Sequence, residues 1–209
     1  MSIKLKICGM KFPDNIGEVL ALEPDYMGFI FFPGSPRFVA GLDPEIVKGI
    51  PESTKTTGVF VDEELDIVKE KIKTYQLKAV QLHGKESPAY CAALQKHAEV
   101  IKAFGIDASF DFDKLDAYYE VTDYFLFDTQ TAGHGGSGKA FNWRLLEKYQ
   151  LVKPFFLSGG IGLDNAAELF RANDERLYAL DVNSKFETSA GLKDIAQLNE
   201  FKNTLTTIL

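Results

Sequence analysis

The chain has 209 residues, of which 45% are hydrophobic and 25% are charged, a balance typical of a soluble globular protein with a sizeable core. Its net charge of -7, with no run rich in lysine and arginine, argues against a nucleic-acid partner. No apolar run approaches the length that crosses a bilayer, and the N-terminal segment lacks the continuous apolar core of a signal peptide. The two cysteines, Cys8 and Cys91, do not make a disulfide framework, so we expect a cytoplasmic protein without membrane contact.

Short apolar runs alternate with longer amphipathic stretches along the whole chain. The predicted strands are, in order, Ile3–Ile7, Tyr26–Phe32, Thr57–Val61, Ala79–Leu82, Val100–Phe104, Tyr124–Phe127, Pro154–Leu157 and Leu177–Asp181. The predicted helices are Asp14–Leu22, Pro44–Gly49, Glu63–Thr74, Ser87–His97, Asp111–Glu120, Asn142–Tyr149, Asp164–Arg171 and Lys193–Leu209. This alternation, repeating about every 25 residues, predicts a parallel sheet with helices packed outside it.

Eight strand–helix repeats in a chain this short favour closure into a (β/α)8 TIM barrel. An open doubly wound sheet is the alternative, but it usually carries a Gly-rich fingerprint after the first strand, where this chain has Cys8-Gly9-Met10-Lys11. No long linker interrupts residues 1–209, so we expect one domain. Four helix starts carry a side chain suited to capping: Asp14, Asp43, Ser87 and Asp164.

Glycine-rich segments follow predicted strands six and seven, and a short polar segment follows strand eight, at the end of the barrel where such enzymes place their active sites. The glycine-rich segments are Gly133–Lys139 and Ser158–Gly162, and the polar segment is Asn183-Ser184. Glycines allow backbone N–H groups to approach a phosphate, and a following helix N-terminus favours the anion. The phosphate-binding residues predicted on this basis are Gly136, Ser137, Gly138, Gly159, Gly160, Asn183 and Ser184. The alternative is that these glycines only turn the chain; a Walker sequence is absent, which argues against a nucleoside triphosphate.

Several strand-end motifs together resemble one family. They are Lys6-Ile7-Cys8-Gly9-Met10, Ser35-Pro36-Arg37, Gln81-Leu82-His83-Gly84, Phe127-Asp128-Thr129, Gly135-Gly136-Ser137-Gly138, Phe141-Asn142-Trp143, Ser158-Gly159-Gly160-Ile161 and Asp181-Val182-Asn183-Ser184. In order and spacing they resemble the phosphoribosylanthranilate isomerase family. The resemblance implies an Amadori rearrangement of N-(5-phosphoribosyl)anthranilate in tryptophan biosynthesis, without metal or cofactor. One departure is Lys185, which stands where the family usually has a glycine.

The resemblance assigns roles to five strand-end side chains. Cys8 is implied to be the general base and Asp128 the general acid; as the ends of strands one and six, they can face each other across the barrel mouth. Arg37 is implied to bind the anthranilate carboxylate, whereas Gln81 and His83 could position the substrate. An acidic role requires burial or a nearby anion to raise the pKa of Asp128, and nearby positive charge would favour the Cys8 thiolate.

Simpler interpretations of these residues stay open. Cys8 could be a small buried hydrophobe, Arg37 a solvated loop charge and His83 a hydrogen-bonded barrel residue. Two related phosphate-binding barrels are also possible, the histidine-pathway aminoaldose isomerase and indole-glycerol-phosphate synthase. The first has carboxylates at both catalytic strand ends and the second needs strand-end lysines. A non-catalytic barrel that binds a phosphorylated ligand is the alternative from another class, and both a monomer and a homodimer are possible.

Overall fold

The computed structural model describes residues 3–129, 143–166 and 174–208, and its centre is a closed barrel of eight parallel strands. The strands are β1 (Lys4–Ile7), β2 (Tyr26–Ile30), β3 (Lys55–Phe60), β4 (Ala79–Leu82), β5 (Glu99–Ile106), β6 (Tyr124–Thr129), β7 (Phe155–Leu157) and β8 (Leu177–Val182). Each strand pairs with the next, and β8 pairs with β1. The predicted (β/α)8 barrel is therefore confirmed, and the open sheet is wrong.

Five α-helices are described: α1 (Pro13–Leu20), α2 (Pro44–Lys48), α3 (Leu65–Tyr75), α4 (Pro88–Leu94) and α5 (Ile195–Ile208). Within the described ranges, no helix is both long and apolar enough to span a membrane. The predicted helix Asp164–Arg171 extends into residues outside the described ranges.

Two predicted α-helices are instead 3-10 helices, at Phe112–Tyr118 and Trp143–Lys148. The apolar spacing explains the first, because Phe112, Leu115 and Tyr118 recur every third residue and all pack on the core. A 3-10 helix has three residues per turn, so this spacing places them on one face.

Helix capping follows the prediction at two of the three starts that can be compared. The Asp43 carboxylate accepts a hydrogen bond from Glu45 N at 3.0 Å, and Ser87 Oγ accepts one from Tyr90 N at 3.2 Å. The prediction for Asp14 was wrong, since α1 starts one residue earlier, at Pro13. Proline suits the first helical position because its missing N–H would be unpaired there.

A short antiparallel hairpin, β9 (Glu187–Ser189) and β10 (Leu192–Lys193), lies between β8 and α5. The predicted last helix began at Lys193, but that residue belongs to β10 and α5 begins at Ile195. The lysine is buried against Glu187, with its Nζ 2.7 Å from Oε1, and this pairing fixes it in the hairpin. The difference matters because the hairpin carries charges to the barrel mouth.

Aromatic side chains fill the barrel near the N-terminal ends of its strands. Tyr26 packs edge-on against Phe156 with ring centroids 5.1 Å apart, and Tyr124 stacks on Tyr178 at 4.4 Å. The Tyr26 hydroxyl donates to Glu99 at 3.0 Å, so the polar end of this buried tyrosine has a hydrogen-bond partner within the aromatic layer. With this end filled, the open end of the barrel is the one at the carboxyl ends of the strands.

Candidate active site

A pocket of about 890 Å³, open solvent included, lies at the carboxyl ends of the strands. It is lined by nine of the predicted site residues: Cys8, Arg37, Gln81, His83, Asp128, Gly159, Gly160, Asn183 and Ser184. The other three predicted residues, Gly136, Ser137 and Gly138, lie outside the described ranges. Residues far apart in sequence are thus gathered into one cavity, as the strand-end rule predicts.

Cys8 directly follows β1 and is buried at the pocket wall, where its backbone N–H donates to Val182 O at 2.9 Å. Gly28 of β2 makes room for the thiol, because a Cβ at position 28 would lie 2.6 Å from Cys8 Sγ. Burial raises the pKa of the Cys8 thiol, although the positive charges of Lys6 and Lys193 oppose the shift. The expected positive charge is therefore present, but burial outweighs it and the group is a neutral thiol at neutral pH.

Gly9 turns the chain away from β1 with a φ of +80°, a conformation that favours glycine. A Cβ here would lie 2.7 Å from Arg37 Cδ and 2.6 Å from Asn183 Oδ1. The glycine therefore allows two predicted ligand-binding side chains to approach the backbone just after Cys8.

Lys6 is fully buried inside the barrel, a site that the sequence interpretation missed. Its Nζ donates to Asp181 Oδ2 at 2.7 Å and to Gln81 Oε1. Burial alone would lower the pKa of Lys6, but the negative charge of Asp181 and the hydrogen bond to its carboxylate raise it overall, so the group is an ammonium. Strand alternation offered a signal: Leu5 and Ile7 belong to the main hydrophobic core, which turns Lys6 into the barrel.

Asp181, near the end of β8, also lines the pocket and received no role from the sequence. Its Oδ2 accepts from Lys6, whereas its buried Oδ1 has no hydrogen-bond partner among the described residues. Burial raises the pKa of Asp181, and the Lys6 ammonium opposes that shift. A buried carboxylate oxygen without a partner is costly, so a bound ligand that donates to Oδ1 would be stabilised here.

Asp128 lies on β6 and is 7% exposed, facing the pocket beside His83. The distance between His83 Nε2 and Asp128 Oδ2 is 3.5 Å. The other ring nitrogen of His83, Nδ1, lies 2.9 Å from Gln81 Nε2. The two residues predicted to position the substrate thus contact each other, and one of them contacts the predicted acid.

Arg37 is held by a carboxylate instead of lying as a solvated loop charge. Its Nε and Nη2 donate to the two carboxylate oxygens of Glu187 at 2.9 and 2.7 Å. Lys193 Nζ donates to the same carboxylate at 2.7 Å and to Asn183 Oδ1 at 2.7 Å. Burial would raise the pKa of Glu187, but hydrogen bonds and charge from Arg37 and Lys193 lower it overall. Sequence reasoning gave neither Glu187 nor Lys193 a role.

The predicted phosphate end of the pocket contains two glycines with left-handed backbone, Gly159 at φ +96° and Gly160 at φ +65°. The Asn165 side chain braces their loop, accepting from Gly162 N at 2.9 Å and donating to Gly160 O at 2.8 Å. Lys185 also lines the pocket, and its Nζ lies 3.5 Å from Asp164 Oδ2.

A thiol, a carboxyl group, an arginine and a glycine-rich loop converge at the mouth of a closed parallel barrel. The fold and the pocket define a (β/α)8-barrel enzyme whose site suits a small anionic ligand. Residues 5–204 match the family described as N-(5′-phosphoribosyl)anthranilate (PRA) isomerase. The isomerase of that name from Parabacteroides distasonis is 46% identical over 94% of this chain and 90% of its own length. The chain therefore belongs to the N-(5′-phosphoribosyl)anthranilate isomerase family.

Solved structures agree with this assignment over the whole barrel. Phosphoribosyl anthranilate isomerase from Thermus thermophilus superposes with a TM-score of 0.88 at 27% identity, covering 99% of this chain and 100% of that one. A phosphoribosyl anthranilate isomerase in complex with reduced 1-(o-carboxyphenylamino)-1-deoxyribulose 5-phosphate gives a TM-score of 0.82 at 29% identity, with 98% and 99% covered.

Proposed function

We propose that the chain converts N-(5′-phosphoribosyl)anthranilate to 1-(2-carboxyphenylamino)-1-deoxyribulose 5-phosphate in tryptophan biosynthesis, with Cys8 as the general base and Asp128 as the general acid. The observation that carries the residue roles is that a thiol at the end of β1 and a carboxyl on β6 line the same pocket. The reaction needs one proton delivered and one removed, and two groups on different sides of one substrate can perform this exchange.

The first step opens the sugar ring. Asp128 gives its proton to the ring oxygen while the bond between that oxygen and C1 breaks, and the anthranilate nitrogen forms a Schiff base with C1. The Cys8 thiolate then removes the proton from C2, giving an enolamine that tautomerises to the ketone. Carbon C1 is reduced and carbon C2 is oxidised, so no external redox partner is needed.

The state of Cys8 in the free protein sets a condition on this scheme. Burial keeps the thiol protonated, whereas Lys6 and Lys193 favour the thiolate. A thiolate is required for proton abstraction, because a thiol has no basic lone pair of comparable strength. We infer that the two lysines stabilise the small thiolate fraction that reacts.

The two ends of the ligand carry negative charge, and each needs its own hydrogen-bond donors. Arg37 is positioned to bind the anthranilate carboxylate, because Glu187 occupies only part of its five N–H donors. Backbone N–H groups of Gly159, Gly160, Asn183 and Ser184, with Gly136–Gly138, would hold the phosphate. Asp181 Oδ1, which belongs to a residue of the same pocket lining, would accept a hydrogen bond from a sugar hydroxyl.

The direct test is turnover of freshly generated N-(5′-phosphoribosyl)anthranilate, followed by the change in anthranilate fluorescence. We expect conversion to the ribulose product by the wild-type protein. Saturable binding without conversion would favour the non-catalytic barrel. Turnover of the histidine-pathway aminoaldose at a comparable kcat/KM would favour that related isomerase.

We also propose where the protein is located and which oligomeric states it adopts. A cytoplasmic location is supported by Cys8 and Cys91, which are both free thiols in the structure. The chain acts as a monomer or a homodimer, and sedimentation equilibrium distinguishes these two states.

A further inference from the structure

Gln81 is buried at 2% exposure, and both ends of its amide are committed to protein partners. Its Oε1 accepts from Lys6 Nζ, and its Nε2 lies 2.9 Å from His83 Nδ1. A side chain in this state has little capacity left for a substrate. Its position between a buried cation and a histidine suggests another purpose.

The Lys6 ammonium fixes which way the amide of Gln81 points. An ammonium only donates, so the carbonyl oxygen of the amide must face it and the NH2 group must face the histidine. The NH2 group also only donates, so the Nδ1 atom of His83 must accept through its lone pair. In a neutral imidazole the proton then lies on Nε2.

The protonated Nε2 of His83 faces the predicted acid, 3.5 Å from Asp128 Oδ2. Contacts of this kind are often long in ligand-free sites and shorten when ligand binds. If His83 donates to Oδ2, the acidic proton of Asp128 must reside on Oδ1. The opposite tautomer would present a lone pair to Asp128 and would draw that proton away from a ligand.

We propose that Lys6 and Gln81 are positioning residues that fix His83 as the Nε2–H tautomer, and that His83 in turn orients the Asp128 carboxyl for proton donation. The chain of contacts runs across the barrel interior from β1 through β4 to β6. It gives Gln81 and His83 a role behind the acid instead of a role as substrate ligands. The inference rests on the proposed function, since it takes Asp128 as the acid.

The tautomer is measured directly by NMR of the ligand-free protein with ¹⁵N-labelled histidine. The chain has three histidines, and a His83→Asn variant identifies the His83 signals. We expect Nδ1 of His83 in the unprotonated range and Nε2 in the N–H range. A protonated Nδ1 with a bare Nε2 in the wild-type protein would overturn the proposal.

Gln81→Glu tests whether Gln81 determines the tautomer of His83, because a carboxylate can only accept a hydrogen bond and would select the Nδ1–H tautomer. The matched control is Gln76→Glu, the same change at an exposed position after α3. In Gln81→Glu we expect the proton of His83 to lie on Nδ1 instead of Nε2, so that the two ¹⁵N signals swap ranges. In Gln76→Glu we expect both signals to stay unchanged. Unchanged signals in folded Gln81→Glu would contradict the proposal that Gln81 fixes the tautomer of His83. The wild-type spectrum tests the tautomer even if this variant does not fold.

Kinetics separate positioning from substrate binding. In Gln81→Glu we expect kcat to fall about tenfold or more, a size typical when a residue that orients a reacting group is lost, with KM changed less than about twofold. A raised KM with unchanged kcat would mean that Gln81 and His83 bind the substrate, and would refute the positioning role. The spectra need no substrate, so the tautomer stands or fails separately from the proposed reaction.

Discussion

Gly28 on β2 faces the Cys8 thiol so closely that a Cβ at position 28 would lie 2.6 Å from Sγ and 3.1 Å from Cys8 Cα. The carbonyl oxygen of Gly28 also accepts from the backbone N–H groups of Gly9 and Met10, at 3.0 and 2.9 Å. Gly28 therefore sets both the space for the thiol and the turn that follows it. A contact below 3 Å with backbone atoms nearby cannot be relieved by moving one flexible side chain.

This relationship predicts that Gly28→Ala displaces Cys8 and lowers kcat. We expect a loss of about tenfold or more, because a misplacement of about 1 Å at a reacting group costs up to ~10²-fold. Steady-state kinetics and thermal unfolding of the purified variant measure the effect. The matched control is Gly17→Ala in α1, where the added Cβ meets no atom within 4 Å. Gly17→Ala should leave kcat unchanged, and equal kcat values in the two variants would show that Gly28 does not position Cys8.

Glu187 predicts a specific dependence of stability on pH. Its pKa is lowered in the folded protein, since Arg37 and Lys193 outweigh burial. A carboxylate with a lowered pKa stabilises the fold above its unfolded pKa of about 4.3, and this contribution is lost as pH falls through the lowered value. Glu187→Gln should therefore be less stable than wild type by about 3 kcal/mol at pH 7, the size typical of a broken buried pair.

Urea unfolding at a series of pH values measures this difference. The gap in free energy of unfolding between wild type and Glu187→Gln should shrink as the pH is lowered toward about 3. Glu200→Gln, at an exposed position of α5, is the control and should show a gap near zero throughout. A gap for Glu187→Gln that stays constant across this range would mean that its charge does not stabilise the cluster.

The phosphate site predicts an effect of Gly160→Ala on ligand affinity. Gly160 has φ +65° and lines the pocket, so a Cβ strains the backbone and crowds the anion. We expect KM for the phosphorylated substrate to rise, at a cost in stability of about 1–2 kcal/mol. Gly41→Ala is the control, because Gly41 has φ +74° and open space around it. If both variants lose similar stability but only Gly160→Ala raises KM, the site is supported; an unchanged KM in both contradicts it.

Lys185 predicts a smaller, salt-dependent contribution to the same end of the pocket. Lys185→Gln should weaken phosphate binding by up to ~1 kcal/mol at low salt, the size of an exposed ion pair, and by less at high salt. Asp164→Asn should instead strengthen phosphate binding, since the Asp164 carboxylate lies 3.5 Å from the Lys185 ammonium and competes with the anion for it. Titration calorimetry with inorganic phosphate at two ionic strengths measures both. Equal affinities in wild type and Lys185→Gln would remove the lysine from the site.

The fold could be predicted from the sequence because barrel strands are apolar runs, and the polar residues that follow each run mark where the strand ends. Cys8, Arg37 and Asp128 each follow or end an apolar run, and the structure brings all three to one pocket. The Lys6–Asp181 pair could not be predicted in the same way. Its partners lie 175 residues apart, and only the closure of β8 onto β1 places them in contact.

The hairpin and the 3-10 helices show a second limit of sequence patterns. Lys193 is charged and follows a glycine-containing turn, which fits the start of a helix as well as a strand. The buried contact with Glu187 places Lys193 in a strand, and local propensity does not predict this tertiary contact. Gln81 and His83 show the same limit for function, because their mutual contact is visible only in three dimensions.

In the proposed reaction, Cys8 and Asp128 exchange protons with the substrate. The most direct measurement is the single-turnover rate of Cys8→Ser and Asp128→Asn with freshly generated N-(5′-phosphoribosyl)anthranilate, beside the affinity of each variant for a reduced product analogue. Both variants should lose about 10²-fold or more in rate, because general acid–base contributions are typically ~10²–10⁴-fold, while the analogue still binds with near wild-type affinity. A rate above about one tenth of wild type in Cys8→Ser or in Asp128→Asn would remove that residue from the mechanism.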